Sequence, residues 1–436
     1  SYEVYDVNTA NEMTYGYGYN SRGMLENVYS VIPTPQNANN NILSSYSYDA
    51  LGRPIEVSQD DGQSIHYDYD ALGNRTSMET QIAGVTQTDV DYTYDDLNRV
   101  QTVTDTIGTA VTTEFDYNLV GQITTIARPN GVTTNYSYDP QRYFVDEIEH
   151  LDNITVLSRY NYTYDDVGNR TSTTITAEDL SQTVHSYDYD DAYRLITETT
   201  NMGSANLVTN YQYDRAGNRT QMSNGEGITN YSYNANDELE EITLPNYQIE
   251  KYSYDVRGNL IQIQLYADGL LDTPIGNPIN YAYNSKDQMI EADLPTTQIV
   301  NQIVSYEYDY LGNRVVENIG GTPKFYLWDE FSRYGDVVLE TGVNFTNNNA
   351  YRKVDYVLSS GMLVSQTNYA GNTQYFLSDA QGTTRSITDA KFNTKQCADC
   401  LHNSEKQSSL FDDTLGKSKC ANLICYREKT DQWLEE

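Results

Sequence analysis

A short phrase, Tyr-x-Tyr-Asp-x-x-Gly-Asn-Arg, recurs along almost the whole chain of 436 residues. Full copies occupy residues 67–75, 162–170 and 211–219, and divergent copies occupy 326–329 and 375–382. The residue that opens the turn of each copy is Asn20, Asp49, Asp70, Asp95, Asn118, Asp139, Asp165, Asp190, Asp214, Asn234, Asp255, Asn284 or Asp309. A spacing of about 20 to 29 residues is typical of repeat arrays, in which each unit packs on its neighbours.

The residue types of the phrase predict a β-hairpin. Tyr67 and Tyr69 lie on one face of a strand, because side chains alternate, and tyrosine is a good strand former. Asp70 is expected to open a type I turn by accepting a hydrogen bond from the backbone two residues on, and Gly73 supplies the positive φ. The equivalent residues of the other full copies are Tyr162, Tyr164, Asp165, Gly168, Tyr211, Tyr213, Asp214 and Gly217.

Substitutions within the phrase agree with this turn. Asn98, Asp237 and Asp287 replace the glycine, and these residue types tolerate the left-handed region best. Tyr193 does not fit, which predicts either another turn or local strain. Asp-Gly or Asn-Gly pairs one strand later, at 61–62, 130–131 and 224–225, predict a second turn. Each repeat is therefore two antiparallel strands, and the chain is predicted to be all-β.

Composition supports an extended β-protein with an aromatic core. The chain has 42 Tyr, 8 Phe and 2 Trp, so phenolic rings replace part of the aliphatic core and are expected to stack in ladders from repeat to repeat. The formal net charge of −35 would repel nucleic acid and anionic membranes, although the turns themselves require many Asp residues. No apolar run approaches the roughly 18 residues of a membrane span.

The repeated phrase resembles the YD repeat of the RHS family, which includes bacterial Rhs polymorphic toxins, wall-associated relatives, the B and C components of insecticidal toxin complexes, and teneurins. The segment 375–389 resembles the RHS core ending, Y-x-x-x-D-x-x-G-S-x-R-x-x-x-D, through Asp379, Gly382 and Arg385. The resemblance implies a β-sheet strip that spirals into a shell or barrel, whose strand edges are thereby protected. In bacterial members such a shell encloses a C-terminal effector.

The resemblance divides the chain into a lead-in segment (1–12), a YD repeat array (13–392) and a cysteine-rich C-terminal module (393–436). This module stands where a variable tip follows the core in the family. Self-cleaving relatives carry a D-P-x-G motif after the core. Here Asp139-Pro140 lies inside the array and is followed by Gln141-Arg142, so no cleavage site is carried over.

All four cysteines fall in the C-terminal module, as Cys397, Cys400, Cys420 and Cys425. A C-x-x-C pair followed by C-x-x-x-x-C is close to zinc-ribbon spacing, with His402 as a possible substitute ligand. Free reduced thiols and disulfides are the alternatives. The sequence of this module is also similar to a cysteine-bearing segment of some ParB-like proteins, and that resemblance implies DNA binding. Its acidic and basic residues are mixed, however, so it lacks the excess of positive charge that DNA binding requires.

Sequence motifs of catalysis are absent. The histidines at 66, 150, 185 and 402 are scattered, and neither a G-x-S-x-G elbow nor a phosphate-binding glycine loop occurs. The repeat array is therefore predicted to be non-enzymatic.

Two functions remain for the array. The first is a structural shell or scaffold of a secreted or toxin-delivery protein, located outside the bacterial cell or on its surface. Its expected partners are a C-terminal effector or toxin cargo and the secretion machinery. The alternative is a recognition module in which exposed tyrosines bind a target-cell surface or its glycans.

Overall fold

A computed structural model describes residues 2–5, 13–30, 41–203, 205–267, 273–295, 302–332, 335–344, 349–359, 362–368, 370–389 and 394–396. These residues form β-strands and turns only, which confirms the all-β prediction. In this part of the chain no helix has the length and hydropathy that crossing a membrane requires.

The early strands, β1–β15, include the first and second full copies of the phrase. Their bounds are Tyr2–Tyr5, Met13–Tyr19, Leu25–Ser30, Asn41–Tyr48, Pro54–Gln59, Gln63–Tyr69, Arg75–Ile82, Val85–Tyr94, Val100–Asp105, Val111–Tyr117, Ile123–Ala127, Val132–Tyr138, Val145–Asp152, Thr155–Tyr164 and Arg170–Ala177.

The middle strands, β16–β27, follow. Their bounds are Gln182–Tyr189, Leu195–Asn201, Asn206–Tyr213, Arg219–Asn224, Gly227–Tyr233, Leu239–Thr243, Ile249–Tyr254, Leu260–Tyr266, Pro274–Tyr283, Met289–Leu294, Gln302–Tyr308 and Arg314–Ile319. The late strands, β28–β34, are Thr322–Asp329, Asp336–Asn344, Asn349–Ser359, Met362–Asn368, Thr373–Ser378, Thr384–Asp389 and Thr394–Gln396.

Each strand pairs antiparallel with the next one along the chain, so the described residues form one long meander. The sheet extends beyond residues 13–392 at both ends. β1 pairs with β2 from within the lead-in segment, and β34 pairs with β33. The even-numbered strands from β2 to β28, and β32, lead into turns that open with Asp or Asn, so these turns lie along one edge, which we name the YD edge.

The turn around Asp70 shows how the phrase folds. Its Oδ1 atom accepts hydrogen bonds from the backbone amides of Leu72 at 2.9 Å and Asn74 at 2.8 Å. Gly73 has a φ of 95°, and the ladder is bulged just before Tyr69. The carboxylate thus replaces backbone acceptors in the turn, and the bulge turns the strand end.

Where glycine is missing, the substitute often gains a second role. Asn98 has a φ of 59°, and its Oδ1 accepts a hydrogen bond from Asn74 Nδ2 of the preceding turn at 3.1 Å. Asp287, with a φ of 60°, accepts one from Asn259 at 2.7 Å. Such bonds link successive turns along the YD edge.

Tyr193 keeps the same turn and bears its strain. Its amide donates to Asp190 O at 3.0 Å, its φ is 62°, and its side chain is 61% exposed. Tyr143 and Tyr247 have similar positive φ values. Because a bulky side chain disfavours this conformation, these turns store strain that glycine would not.

Tyr193→Asn is expected to stabilise the protein by about 1 kcal/mol, since asparagine tolerates the left-handed region. Thermal unfolding followed by circular dichroism would measure the gain. Tyr193→Phe keeps the strain and removes only the hydroxyl, so it serves as the control. Equal stability of the two variants would contradict the strain interpretation.

The second tyrosine of the phrase joins one repeat to the previous one. Tyr94 donates to Arg75 O at 2.7 Å, and Tyr117 donates to Val100 O at 2.8 Å. The same bond, to the fifth residue after the preceding Asp or Asn, is made by Tyr138, Tyr189, Tyr213, Tyr233, Tyr254 and Tyr308. Tyr164 bonds the sixth residue after Asp139, Val145 O. Tyrosine is therefore needed here for its hydroxyl as well as for its ring.

Tyr117→Phe is expected to lower the free energy of unfolding by about 0.5–1.5 kcal/mol, because Val100 O loses its donor. Urea unfolding would measure the difference. Tyr247→Phe, at a side chain that is 70% exposed, should leave stability unchanged. A Tyr117→Phe variant as stable as the parent would mean that the hydroxyl bond adds no net stability.

Arginine, rather than a second ring, covers the first tyrosine of the phrase. The Arg75 guanidinium lies 4.6 Å from the centre of the Tyr67 ring, and Arg219 lies 5.8 Å from Tyr211 and 4.5 Å from Tyr231. Cation–π contacts of this kind stabilise most when they are desolvated. The expected stacked tyrosine ladders are thus replaced in these copies by alternating rings and guanidinium groups.

Arginine one position earlier in the phrase has a different role. Arg99 pairs with Asp95 of its own turn and donates to Asn118 O of the next turn at 3.1 Å. Arg194 likewise donates to Asp214 O at 2.8 Å. These side chains connect neighbouring turns along the YD edge.

The turns on the opposite edge use the predicted Asp-Gly and Asn-Gly pairs at two of the three sites. Gly62 and Gly131 have φ values of 85° and 84°. In the third turn, Gly227 rather than Gly225 has the positive φ, at 132°. Asn224 still opens this turn, since its side chain accepts the Glu226 amide at 2.9 Å.

Candidate functional site at the seam between early and late repeats

The late strands lie against the tyrosine-bearing face of the early strands, and we name this contact the seam. Its core contains Val28, Ile65 and Tyr67 from early strands together with Leu327 and Leu339 from late strands. Each of these side chains is at most 2% exposed. The strip therefore returns to its own beginning and packs on it face to face.

A buried ion pair lies within the seam. Asp329, at the end of β28, accepts hydrogen bonds from Tyr67 Oη at 2.8 Å and from Arg75 Nη1 at 2.5 Å. Burial alone would lower the pKa of Arg75, but the Asp329 carboxylate outweighs it and raises this pKa. Burial also raises the pKa of Tyr67, and Asp329 adds to the effect. Arg75 is therefore cationic and Tyr67 remains a hydrogen-bond donor.

A second polar group lies beside the first. Glu330 Oε2 accepts hydrogen bonds from Tyr46 Oη at 2.9 Å and from Tyr310 Oη at 3.4 Å, and the two hydroxyls lie 3.0 Å apart. The Phe331 ring meets the Tyr46 and Tyr67 rings edge-on. Burial raises the pKa of Glu330 to about 7.

Farther along the seam, backbone atoms of the late strands are held by early side chains. Arg128 donates to Phe376 O at 3.0 Å. Asn130, which is 6% exposed, donates to Thr388 Oγ1 and to Asp389 O, both at 3.1 Å. These bonds fix β32 and β33 against the edge opposite the YD edge.

The segment with Asp379, Gly382 and Arg385 also lies in the seam. Asp379 opens the turn between β32 and β33, and Arg385 Nε donates to its carboxylate at 2.7 Å. The amide of Ala380 in this turn donates to Tyr162 Oη at 3.1 Å. The divergent copy at 375–382 thus packs on the full copy at 162–170.

The structure separates the three full copies of the phrase. Tyr67 is 2% exposed and Tyr162 is 5% exposed, because both lie under late strands. Tyr211 occupies the same position in its copy but is only half-buried. Tyr69 is half-buried, and the hydroxyls of Tyr164 and Tyr213 make the backbone bonds described above.

Sequence reasoning missed the polar residues of the seam. Arg75 is the last residue of the phrase, but nothing in the sequence around it indicates that it pairs with Asp329. Asp329 occupies the turn-opening position of a divergent copy, and Glu330 is the next residue in that turn. The seam partners are separated by more than 250 residues, so local patterns could not pair them.

A cavity of about 170 Å³ adjoins the ion pair and is lined by Arg75, Tyr92, Tyr94, Asp329 and Asp336, among others. Elsewhere the seam is filled by side chains of the core. The hollow that the resemblance implies therefore does not lie between the early and late strands.

His150 is fully buried beneath the late strands, and its Nδ1 atom lies 2.9 Å from Thr134 Oγ1. Burial, reinforced by Arg128, lowers the pKa of His150 to about 3, so this histidine is neutral. Its role in the structure is packing.

Among the residues whose side chains the structure describes, the tyrosines exposed above 50% are Tyr19, Tyr143, Tyr193 and Tyr247. Tyr143 and Tyr193 lie in turns of the YD edge, whereas Tyr247 lies in a turn of the opposite edge. They belong to different turns and strand ends, on both edges of the sheet. This arrangement does not favour the recognition alternative.

The four cysteines and His402 lie outside the described residues, so the zinc prediction stays a prediction. Within the described ranges, no group of three or more His, Cys, Asp or Glu side chains is arranged to hold a metal ion.

Comparison with known proteins gives a family match and several distant relatives. A family model described as RHS Repeat matches residues 48–86. The chain is 25% identical over 258 residues to the tRNA3(Ser)-specific nuclease WapA of Bacillus spizizenii, covering 50% of this chain and 10% of the relative. It is 26% identical over 185 residues to toxin subunit YenC1 of Yersinia entomophaga, covering 35% of this chain and 18% of the relative. The chain thus matches under a fifth of the length of these relatives.

Among solved structures, the crystal structure of TcdB2-TccC3-TEV resembles this chain with a TM-score of 0.41 at 14% identity. The similarity covers 90% of this chain and 26% of that chain. The Tc holotoxin pore of Photorhabdus luminescens gives a TM-score of 0.40 at 13% identity, covering 90% and 26%.

Proposed function

Because this chain carries the repeats of the RHS family, we propose that its array forms the wall of a container or scaffold that encloses or presents a C-terminal effector. The proposal assigns no reaction to the repeats themselves. Their task is to hold a guest polypeptide and to keep it apart from its surroundings. The guest is the segment that follows the late strands, here or in a longer polypeptide.

The observation that carries this proposal is the seam. Tyr67 and Asp329 are 262 residues apart in sequence and share a buried hydrogen bond of 2.8 Å. A strip that returns to its own beginning encloses the space along its middle part. A straight array would leave these two residues far apart.

The face of the middle strands supports the proposal further. Within the described residues, β16–β26 contact chiefly their sequential neighbours, and no late strand covers them as it covers the early ones. Tyr187 and Tyr252 of this face are half-buried, unlike Tyr67. A polypeptide guest could bury these rings, and that burial would favour its retention.

The names of the relatives indicate where such a container would act. One is a toxin subunit and another is a tRNA nuclease. For this chain we infer a bacterial protein that is secreted or displayed at the cell surface. Its partners would be an effector, the secretion machinery and the target cell.

Electron microscopy of the purified full chain tests the proposal. We expect closed, curved particles in which the early and late repeats meet. In an Asp329→Ala variant, a larger fraction of particles should be open. Straight rods without an interior in the parent protein would overturn the container proposal.

A further inference from the structure

Glu330 joins an early strand to two neighbouring turns near the other end of the array. It lies in the turn after β28, Tyr46 lies in β4, and Tyr310 lies in the turn between β26 and β27. Both tyrosine hydroxyls lie within hydrogen-bond distance of the same carboxylate oxygen, at 2.9 and 3.4 Å. The state of this carboxyl group therefore affects the early and late repeats together.

The surroundings of Glu330 disfavour its negative charge. Asp309 faces it from the turn before β27, and Asp329 precedes it in sequence. Among the described residues Glu330 forms no ion pair, since the nearby Arg75 is bonded to Asp329. Tyr48 of β4 and Tyr67 of β6 are the other titratable groups that face it.

Together, these surroundings raise the pKa of Glu330. Burial and the two aspartates raise the pKa of Glu330, and the hydrogen bonds from Tyr46 and Tyr310 only partly oppose them, which leaves it at about 7. Burial likewise raises the pKa of Asp309. The closed seam thus binds a proton that a solvent-exposed glutamic acid would release.

We propose that Glu330 is a proton-binding site that couples closure of the seam to pH. The early and late repeats stay joined when its carboxyl group is protonated, and they separate more readily once it ionises. The biological meaning, control over opening of a container, rests on the function proposed above. The coupling itself rests on the burial of Glu330 at the seam beside Asp309 and Asp329, and on its hydrogen bonds to Tyr46 and Tyr310.

The pH dependence of seam closure follows from the difference between the pKa of Glu330 in the closed seam and its pKa in an open seam. In the closed seam the pKa of Glu330 is about 7, and in an open seam it returns to about 4.5. Its contribution to closure is therefore complete below pH 4.5, declines as the pH rises towards 7, and is lost above pH 7. Within this range the opening equilibrium should rise about tenfold per pH unit.

Hydrogen exchange of the full chain between pH 5 and 8 measures this opening. The measured quantity is a protection ratio. It is the mean protection factor of the amides in β28–β30 divided by the mean protection factor of the amides in β18–β20, which lie outside the seam. Both factors are corrected for intrinsic exchange. The ratio should fall about tenfold per unit from pH 5 to 7 and level off above pH 7. A ratio that stays constant over this range would overturn the proposal.

Glu330→Gln cannot ionise, so its ratio should stay constant and should exceed the parent ratio at pH 8. Glu307→Gln is the matched control, because Glu307 is exposed in β26 and the same charge is removed. This control should keep the pH dependence of the parent. Retention of the full slope by Glu330→Gln would assign the titration to another group.

Asp309→Asn provides a second variant in case Glu330→Gln does not fold. Asparagine already opens the equivalent turn at Asn20, Asn118, Asn234 and Asn284, so this change suits the turn. Removing the negative neighbour should shift the midpoint of the transition to lower pH. An unchanged midpoint would contradict the electrostatic part of the proposal.

The outcomes separate this inference from the proposed function. Closed particles with a constant protection ratio would reject the switch and leave the container standing. Rod-shaped particles would reject the container, and the contact on which the switch acts would then be absent.

Discussion

Replacing Asp329 with alanine is expected to destabilise the seam by about 3–5 kcal/mol, because a buried cation loses its partner. The Asp329 side chain is 3% exposed and that of Arg75 is 19% exposed. The variant leaves the guanidinium and the Tyr67 hydroxyl without their acceptor. Urea unfolding followed by Trp328 fluorescence in a Trp433→Phe background would report on β28 directly.

A double variant isolates the ion pair as the cause. Arg75→Met combined with Asp329→Leu removes both charges and keeps apolar volume, so it should recover most of the lost stability. Such recovery would show that the unpaired charge, rather than altered packing, destabilises the single variant. A single variant within 1 kcal/mol of the parent, or a double variant equally unstable, would contradict the burial of this pair.

Tyr67→Ala is expected to lower the free energy of unfolding by about 3–5 kcal/mol, as other truncations of buried aromatic residues do. The Tyr67 ring is 2% exposed, lies under Arg75 and meets Phe331 edge-on at 6.1 Å between ring centres. Its loss would leave a cavity between the two packed layers of the sheet and remove a donor to Asp329. The same urea experiment measures the effect.

The chain offers a matched control for this change. Tyr211 holds the same position of the phrase but lies in the middle strands, where its ring is half-buried. Tyr211→Ala should therefore cost less than half as much as Tyr67→Ala, since the transfer free energy scales with the area removed from water. Equal losses would mean that the late strands do not cover Tyr67 in solution.

Much of the local structure was predictable because its interactions stay within one repeat. The carboxylate of Asp70 reaches amides two and four residues away, and Gly73 sits in the same turn. The residue types alone therefore indicated the turn, the two strands and the all-β class. Even the substitution at Asn98 followed the predicted conformational preference.

The aromatic packing was harder to predict. Stacked tyrosine ladders were expected, yet in the copies described above guanidinium groups lie between the rings. The distinction depends on whether arginine follows the Asp by four or by five residues. The sequence contains this signal, but only the structure shows what each position does. The fifth residue covers the first tyrosine of its own copy. The fourth reaches the next turn and covers the second tyrosine of the next copy.

Asp70 and Asp329 show where local pattern stops being informative. Both follow an aromatic residue and accept an amide hydrogen bond two residues on, at 2.9 and 3.1 Å. Asp70 serves its own turn at the YD edge, whereas Asp329 also binds Tyr67 and Arg75 across the seam. The difference arises from the rest of the chain, which brings one of them under another layer.

The sequence by itself determined the repeating hairpin, because each turn is specified by residues close enough to hydrogen-bond within it. The tertiary structure alone decided which copies are covered, which tyrosines are buried and which carboxylates lose their solvent. Those properties depend on the curvature accumulated over some 260 residues, which brings Tyr46 to Tyr310 and Tyr67 to Asp329. Small changes of twist in each repeat add up along the strip, and no single copy of the phrase records their sum.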